Sequence, residues 1–264
     1  MLRTLTLAVL LATASLPAFA QGASPQGQRV RVGVTPGPHA QIIEVVKPIA
    51  AKKGLDLQVV EFSDYVVPNE ALSSGELEAN SFQHQPYLDN QKADRGYKIE
   101  SVAQTVNFPM GVYSKRHKSF DAVPAGGTVA IPNDPTNGGR ALLLLQDKGL
   151  LKLKANVGFK PSVADITENP KRLRIIEVDA AQTPRSLDDV DAAAVNTNYA
   201  TAAGLKPGDA ILKEEPKGPY VNVIAVRSAD KDKPWVATLV ESYRSPEVKA
   251  FIDAKFGGAV LTSW

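Results

Sequence analysis

Short β-branched runs alternate with helical patterns along this chain, and the alternation breaks off and restarts once. Arg29-Val-Arg-Val-Gly-Val-Thr35 reads as a strand bounded by Pro36-Gly37-Pro38. A helix pattern follows from about His39 to Lys53, with Ile42, Ile43, Val46 and Ile49 on its buried side, and Gly54 ends it. Leu57 to Phe62 is the next strand. Asn69 to Gly75 and Tyr87 to Arg95 then read as helices, and Leu77 to Phe82 and Ile99 to Val106 as strands. After Lys115 the pattern restarts. Thr128 to Pro132, Leu173 to Val178, Ala192 to Asn196 and Tyr220 to Arg227 are strands, with helices at Thr136 to Lys148 and Ser186 to Val190, and helices around Trp235 to Tyr243 and at Pro246 to Phe256 close the chain. Such alternation predicts open α/β sheets with mostly parallel strands flanked by helices. Two runs predict two lobes: residues 29–114 as the first part of lobe 1, 115–226 as lobe 2, and 227–264 returning to lobe 1. The crossings would then lie near Tyr113-Ser114-Lys115 and Val226-Arg227-Ser228. Ligands in such sheets sit beyond the carboxyl ends of the strands.

The first twenty residues do not belong to this pattern. Arg3, the apolar run Leu5 to Leu16 and Ala18-Phe19-Ala20 form a cleavable signal peptide, with cleavage expected after Ala20. Residues 21–28 read as a flexible leader. With 30 Lys and Arg against 28 Asp and Glu, and Arg3 the only charge in the signal, nothing favours nucleic acid as a partner. The chain has no cysteine, which removes disulfides, thiolate metal sites and a cysteine nucleophile.

Three groups of residues carry the chemistry. The first is Pro132-Asn-Asp-Pro-Thr-Asn-Gly-Gly-Arg140, followed by Ala141-Leu-Leu-Leu-Leu145, a strand end that turns into a helix start. Asp134 or Thr136 can cap that helix, and Pro135 suits its first position. Unpaired N–H groups, the positive end of the dipole and the fork of Arg140 together suit a small carboxylate or phosphate. Taken alone, a helix-start Arg is more often a surface ion pair. The second group is Phe82, His84 and Tyr87, able to face one cleft with Tyr65 beside them, a box that suits a flexible apolar side chain. Ordinary packing, or a structural histidine, is the alternative. The third group is amides: Asn137, Asn196 and Asn222, the last inside Tyr220-Val-Asn-Val-Ile224, where an amide must find partners. Asn198 and Asn133 read as turn or capping residues. His39, His84 and His117 fall at no metal-ligand spacing, and no nucleophile elbow is present. Asp188-Asp189 and Glu214-Glu215 read as solvated or capping pairs, so no enzyme, cofactor or metal is expected.

With those residues in view, the mature sequence resembles the MetQ/NlpA family, the methionine-binding receptors of bacterial ABC importers. The likeness is carried by Gly33-Val-Thr-Pro-Gly-Pro-His39, Asn80-Ser-Phe-Gln-His-Gln-Pro-Tyr-Leu-Asp89, Pro132 to Arg140, Glu168-Asn-Pro170, Pro184-Arg-Ser-Leu-Asp-Asp189 and Pro219-Tyr-Val-Asn222. The resemblance implies a type II periplasmic-binding-protein fold with its ligand between the lobes. It implies that Tyr65, Phe82, His84 and Tyr87 line a side-chain pocket. It also implies that Arg140 holds the α-carboxylate while Asn137, Asn196 and Asn222 fix the head group. The implied ligand is methionine, L- before D-, and the implied partners are a membrane permease and its ATPase. Another apolar amino acid, a methionyl dipeptide, or a periplasmic enzyme on the same scaffold are the alternatives. Family members commonly carry a Cys at the cleavage point, where this chain has Ala20-Gln21. A monomeric, freely diffusing periplasmic receptor without a lipid anchor is therefore expected.

Overall fold

The computed structural model describes residues 27–216 and 218–264. The expected signal peptide and leader residues 21–26 lie outside the described residues. The first run comprises β1 (Gln28–Val34), α1 (Pro38–Ala51), β2 (Leu55–Glu61), α2 (Val67–Ser74), β3 (Ala79–His84), α3 (Gln85–Arg95) and β4 (Ile99–Asn107). The second comprises β5 (Gly111–Tyr113), β6 (Thr128–Pro132), α4 (Pro135–Asp147), the short pair β7 (Lys152–Leu153) and β8 (Ile166–Glu168), and β9 (Arg174–Val178). It continues through α5 (Thr183–Ser186), β10 (Ala192–Val195), α6 (Thr197–Ala202) and β11 (Leu212–Lys213). The chain closes with β12 (Val221–Arg227), α7 (Pro234–Tyr243), α8 (Pro246–Phe256) and β13 (Leu261–Thr262).

Two sheets result. The first has the order β13-β4-β12-β3-β1-β2 and the second β11-β5-β10-β6-β9. In the first, β1 pairs parallel with β2 and β3, while β12 runs antiparallel between β3 and β4. In the second, β6 pairs parallel with β9 and β10, and β5 runs antiparallel to β10 and β11. Most strands of each sheet point the same way; β12 and β13 are reversed in the first and β5 in the second. Helices cover both faces, so β3, β6 and β10 are buried along their whole length. One core lies between the first sheet and α1, α7 and α8, around Val32, Ile42, Val46, Leu239 and Ile252. Its counterpart in the second sheet packs Val129 and Ile131 against Leu142 and Leu145 of α4.

The sheets correct the expected lobe boundaries. β5, placed by sequence in lobe 1, pairs with β10 and β11 of the second sheet. β12, placed in lobe 2, pairs with β3 and β4 of the first. The chain therefore crosses between the sheets after Asn107 and before Gly111, and again after Lys213 and before Val221. A strand's local pattern marks it as a strand but not which sheet it joins, because its partners are distant in sequence. The leader also ends earlier than expected: Gln28 opens β1, its N–H donating to Gly54 O at 3.0 Å.

At the end of β6 the chain turns sharply. Asp134 caps α4, its carboxylate accepting from Asn137 N at 2.9 Å, with Pro135 in the first helical position. Gly138 makes the turn this tight, since a Cβ there would stand 2.6 Å from Pro132 O. Alanine normally favours a helix over glycine by about 1 kcal/mol. Here Gly138→Ala is expected to destabilise by about 1–3 kcal/mol, the cost of overpacking, as read from the urea midpoint. An unchanged or raised midpoint would show that α4 separates from β6 without cost.

Candidate ligand-binding site

The strands β1, β3, β6 and β10 end on the same side, facing one another across the gap between the sheets. There, a narrow cavity brings together all eight residues singled out from the sequence. Tyr65, Phe82, His84, Tyr87 and Asn222 line it from the first sheet's side, and Asn137, Arg140 and Asn196 from the second's. Asn222 lies opposite His84 in the antiparallel register of β12 and β3, which sets both at the strand end.

The aromatic wall is preorganised. Tyr65 stands 5.9 Å from both Phe82 and Tyr87 between ring centroids and 4.8 Å from Tyr199, in tilted or edge-on arrangements. The Tyr87 hydroxyl donates to Tyr65 O at 2.8 Å, and the Tyr65 hydroxyl to Asn198 Oδ1 at 2.6 Å. Burial raises both phenols above their ordinary range, so they remain protonated donors. Asn198, expected as a turn residue, is buried in the wall and bridges the lobes, donating also to Thr35 Oγ1 at 3.2 Å.

His84 is a neutral link in the polar wall. Burial first, and the Arg140 charge second, lower its imidazole from 6.5 to about 3. Its Nδ1 accepts from Tyr87 N at 3.1 Å, which leaves the proton on Nε2 to donate to Asn137 Oδ1 at 3.1 Å. Asn196 Nδ2 donates to the same oxygen at 2.8 Å, and Asn137 Nδ2 donates back to the Asp134 carboxylate. Burial raises the Asp134 carboxyl despite those donors. Asn137 is therefore largely committed to protein partners. Asn196 Oδ1, by contrast, is buried with no partner among the described residues. That is a free acceptor in the cavity wall.

Arg140 is clamped on three sides. Nε and Nη2 donate to Glu214 Oε1 and Oε2 at 2.9 and 2.5 Å, and Nη2 also to Phe108 O at 2.8 Å. Its Cζ lies 4.2 Å from the centroid of the Tyr220 ring. Among the described residues Nη1 has no protein partner, so that edge of the fork is free. Glu214 corrects the sequence reading: it is not a solvated acid but a mostly buried partner that also accepts from Met110 N at 3.0 Å. Tyr220, His39 and Phe108 were likewise not singled out as site residues; His39 packs on Phe108 with ring centroids 4.7 Å apart. A loop acid whose partner lies 74 residues away carries no local signal. Among the described residues no group of three His, Cys, Asp or Glu could hold a metal ion.

Two α/β lobes with amide, guanidinium and aromatic groups meeting at the strand ends define a two-lobed binding protein of the type II periplasmic class. The model of the NlpA lipoprotein family matches residues 30–264, and the chain belongs to that family. The D-methionine-binding lipoprotein MetQ of Escherichia coli (strain K12) is 49% identical over 239 residues, 89% of this chain and 88% of that protein. Lipoprotein 28 of the same strain is 43% identical over 261 residues, 97% of this chain and 96% of that protein. The fold is also that of a nutrient binding protein from Burkholderia cenocepacia bound to methionine, with TM-score 0.87 and 55% identity over 89% of this chain and 100% of that one. The MetQ relative and the Burkholderia cenocepacia protein are named as binding proteins, in agreement with the non-enzymatic reading. The MetQ and Lipoprotein 28 relatives also overturn one expectation. A simple secreted periplasmic protein without a lipid anchor was inferred from a missing cysteine, whereas the relatives are named lipoproteins.

The buried imidazoles make stability pH-dependent. Burial lowers His39, like His84, from 6.5 to about 3. Between those values the unfolded chain binds protons that the folded chain does not, so stability falls as pH falls. The slope is up to about 1.4 kcal/mol per pH unit for each histidine. The raised Asp134 carboxyl opposes this above its ordinary 3.8. The urea midpoint is therefore expected to drop between about pH 7 and about pH 5, and less steeply in His39→Leu. Equal slopes in the two proteins would mean that His39 protonates in place.

Proposed function

We propose that this chain is the solute receptor of an ABC importer, closing its two lobes on a methionine zwitterion and delivering it to a membrane permease. The observation that carries the reading is the pairing of free groups in the cavity wall: the Nη1 edge of Arg140 as donor and Asn196 Oδ1 as acceptor. An α-carboxylate satisfies the first and an α-ammonium the second, with Asn222 beside them. Tyr65, Phe82, Tyr87 and His84 then surround the side chain, where apolar burial contributes about 25 cal/mol per Å². Asn137 holds His84 and Asn196 in place rather than spending its amide on the ligand. The methionine-bound neighbour and the name of the relative support this ligand class. L-methionine is the first choice, and the D-methionine in the relative's name makes that enantiomer the second.

The lobes in this reading are residues 28–107 with 221–264, and 111–213, pivoting on the two crossings. Closure is supported by bonds that span the gap: Tyr65 to Asn198, His84 to Asn137, and Lys160 Nζ to Asn90 Oδ1 at 2.9 Å.

Calorimetric titration of the full chain, unfolded and refolded to remove carried-over ligand, tests the proposal with L-methionine, D-methionine, leucine and glycyl-methionine. Saturable binding of a methionine enantiomer with a dissociation constant near or below about 1 μM, roughly −8 kcal/mol, is expected. Folded protein that binds none of the four would overturn it. Arg140→Ala, checked for folding by circular dichroism, should lose about 2–5 kcal/mol of affinity. Unchanged affinity would show that the carboxylate does not meet Arg140.

A further inference from the structure

A single free arginine in a cavity selects for negative charge, and an anion lacking an amine would satisfy it as well as an amino acid does. Arg140 does not stand alone. Its Nε–Nη2 edge is taken bidentately by Glu214, and the two side chains are 3% and 14% exposed. This pairing brings a full negative charge to the guanidinium on the edge away from its free Nη1. Asp134, a second acid near this wall, is held at the positive start of α4 by Asn137 N, Asn137 Nδ2 and Thr136 Oγ1. The head of the cavity therefore offers hydrogen-bond direction with little net positive charge.

We propose that Glu214 determines the charge class of the ligand: by neutralising Arg140 it restricts the cavity to net-neutral zwitterions and rejects plain carboxylate anions. This rests on the reading of the site as an amino-acid receptor. Glu214 is a positioning residue in this scheme, acting on the ligand through Arg140. It fixes the guanidinium so that Nη1 points to the ligand, and it cancels the field that would otherwise draw any anion. Phe108 O and the Tyr220 face hold the same geometry without changing the net charge. Orientation and neutralisation can therefore be separated by experiment.

The probes are L-methionine and 4-(methylthio)butanoate, which has the same skeleton without the amine and carries a net negative charge. Affinities for both are measured by calorimetry on the full wild-type chain, on Glu214→Gln and on Glu214→Ala, so that one folded variant suffices. The wild type should prefer methionine by about 100-fold or more, because the amine-less acid leaves Asn196 Oδ1 unpaired and meets no net positive field. In either charge-removing variant the preference should shrink by about tenfold or more, chiefly through tighter binding of the anion. Glu214→Asp, which keeps the charge, should restore most of the preference. If the variants lose affinity for both probes equally and the preference is unchanged, Glu214 is only structural and the proposal is overturned. A wild type that binds methionine and the anion within about tenfold of each other overturns it as well. A wild type that binds neither probe defeats the receptor reading itself, which is a separate result from an unchanged preference.

Discussion

The site depends on how one buried guanidinium is held. Arg140 rises from the first turns of α4 in the second lobe, yet its partners sit on both segments that join the lobes. Phe108 O belongs to the first crossing, and Glu214 and the Tyr220 ring to the second. Removing one member of a buried ion pair leaves an uncompensated charge, at a typical cost of about 3–5 kcal/mol. Arg140 therefore ties the position of α4 to the conformation of both crossings. A group that meets a ligand at Nη1 is coupled through a rigid planar fork to the segments about which the lobes would pivot.

The rest of the wall follows from helix starts placed at strand ends. Asp134 caps α4 and holds Asn137 by its backbone and its amide, and Asn137 in turn accepts from His84 and Asn196. One capping carboxylate therefore organises polar groups from both sheets. The neutral state of His84 matters to this chain of bonds. A charged imidazole would have to donate from Nδ1, where Tyr87 N now donates to it, and would face the Arg140 charge.

Much of this was legible in the sequence, for identifiable reasons. β6 and α8 fall on their expected residues because a β-branched run bounded by turn residues and a helical repeat opening on Ser245-Pro246 are both local signals. Asn222 stood out because a strand amide among apolar neighbours must find partners. The features that escaped are those set by partners far along the chain. Three-residue β5 has too little pattern to register, and only its pairing with β10 assigns it to the second sheet. Glu214 in Lys213-Glu-Glu-Pro216 looks like any solvated acid until Arg140 is folded against it. Asn198 was read as a turn former because its local role, near the start of α6, hides its bond to Tyr65 across the cleft.

That asymmetry bears on how specificity is encoded here. The aromatic box and the amides come from contiguous motifs, so shape and hydrogen-bond direction are written locally. The electrostatic balance of the cavity is not. It arises from an acid in a crossing segment, outside every motif that carries the family likeness, acting on an arginine inside one. Two relatives could share the whole Pro132 to Arg140 segment and still differ in the charge of the ligand they accept, if the residue at the end of β11 differed. Comparing pockets by their lining motifs alone would miss this, because Glu214 stands behind the arginine and not in the cavity wall.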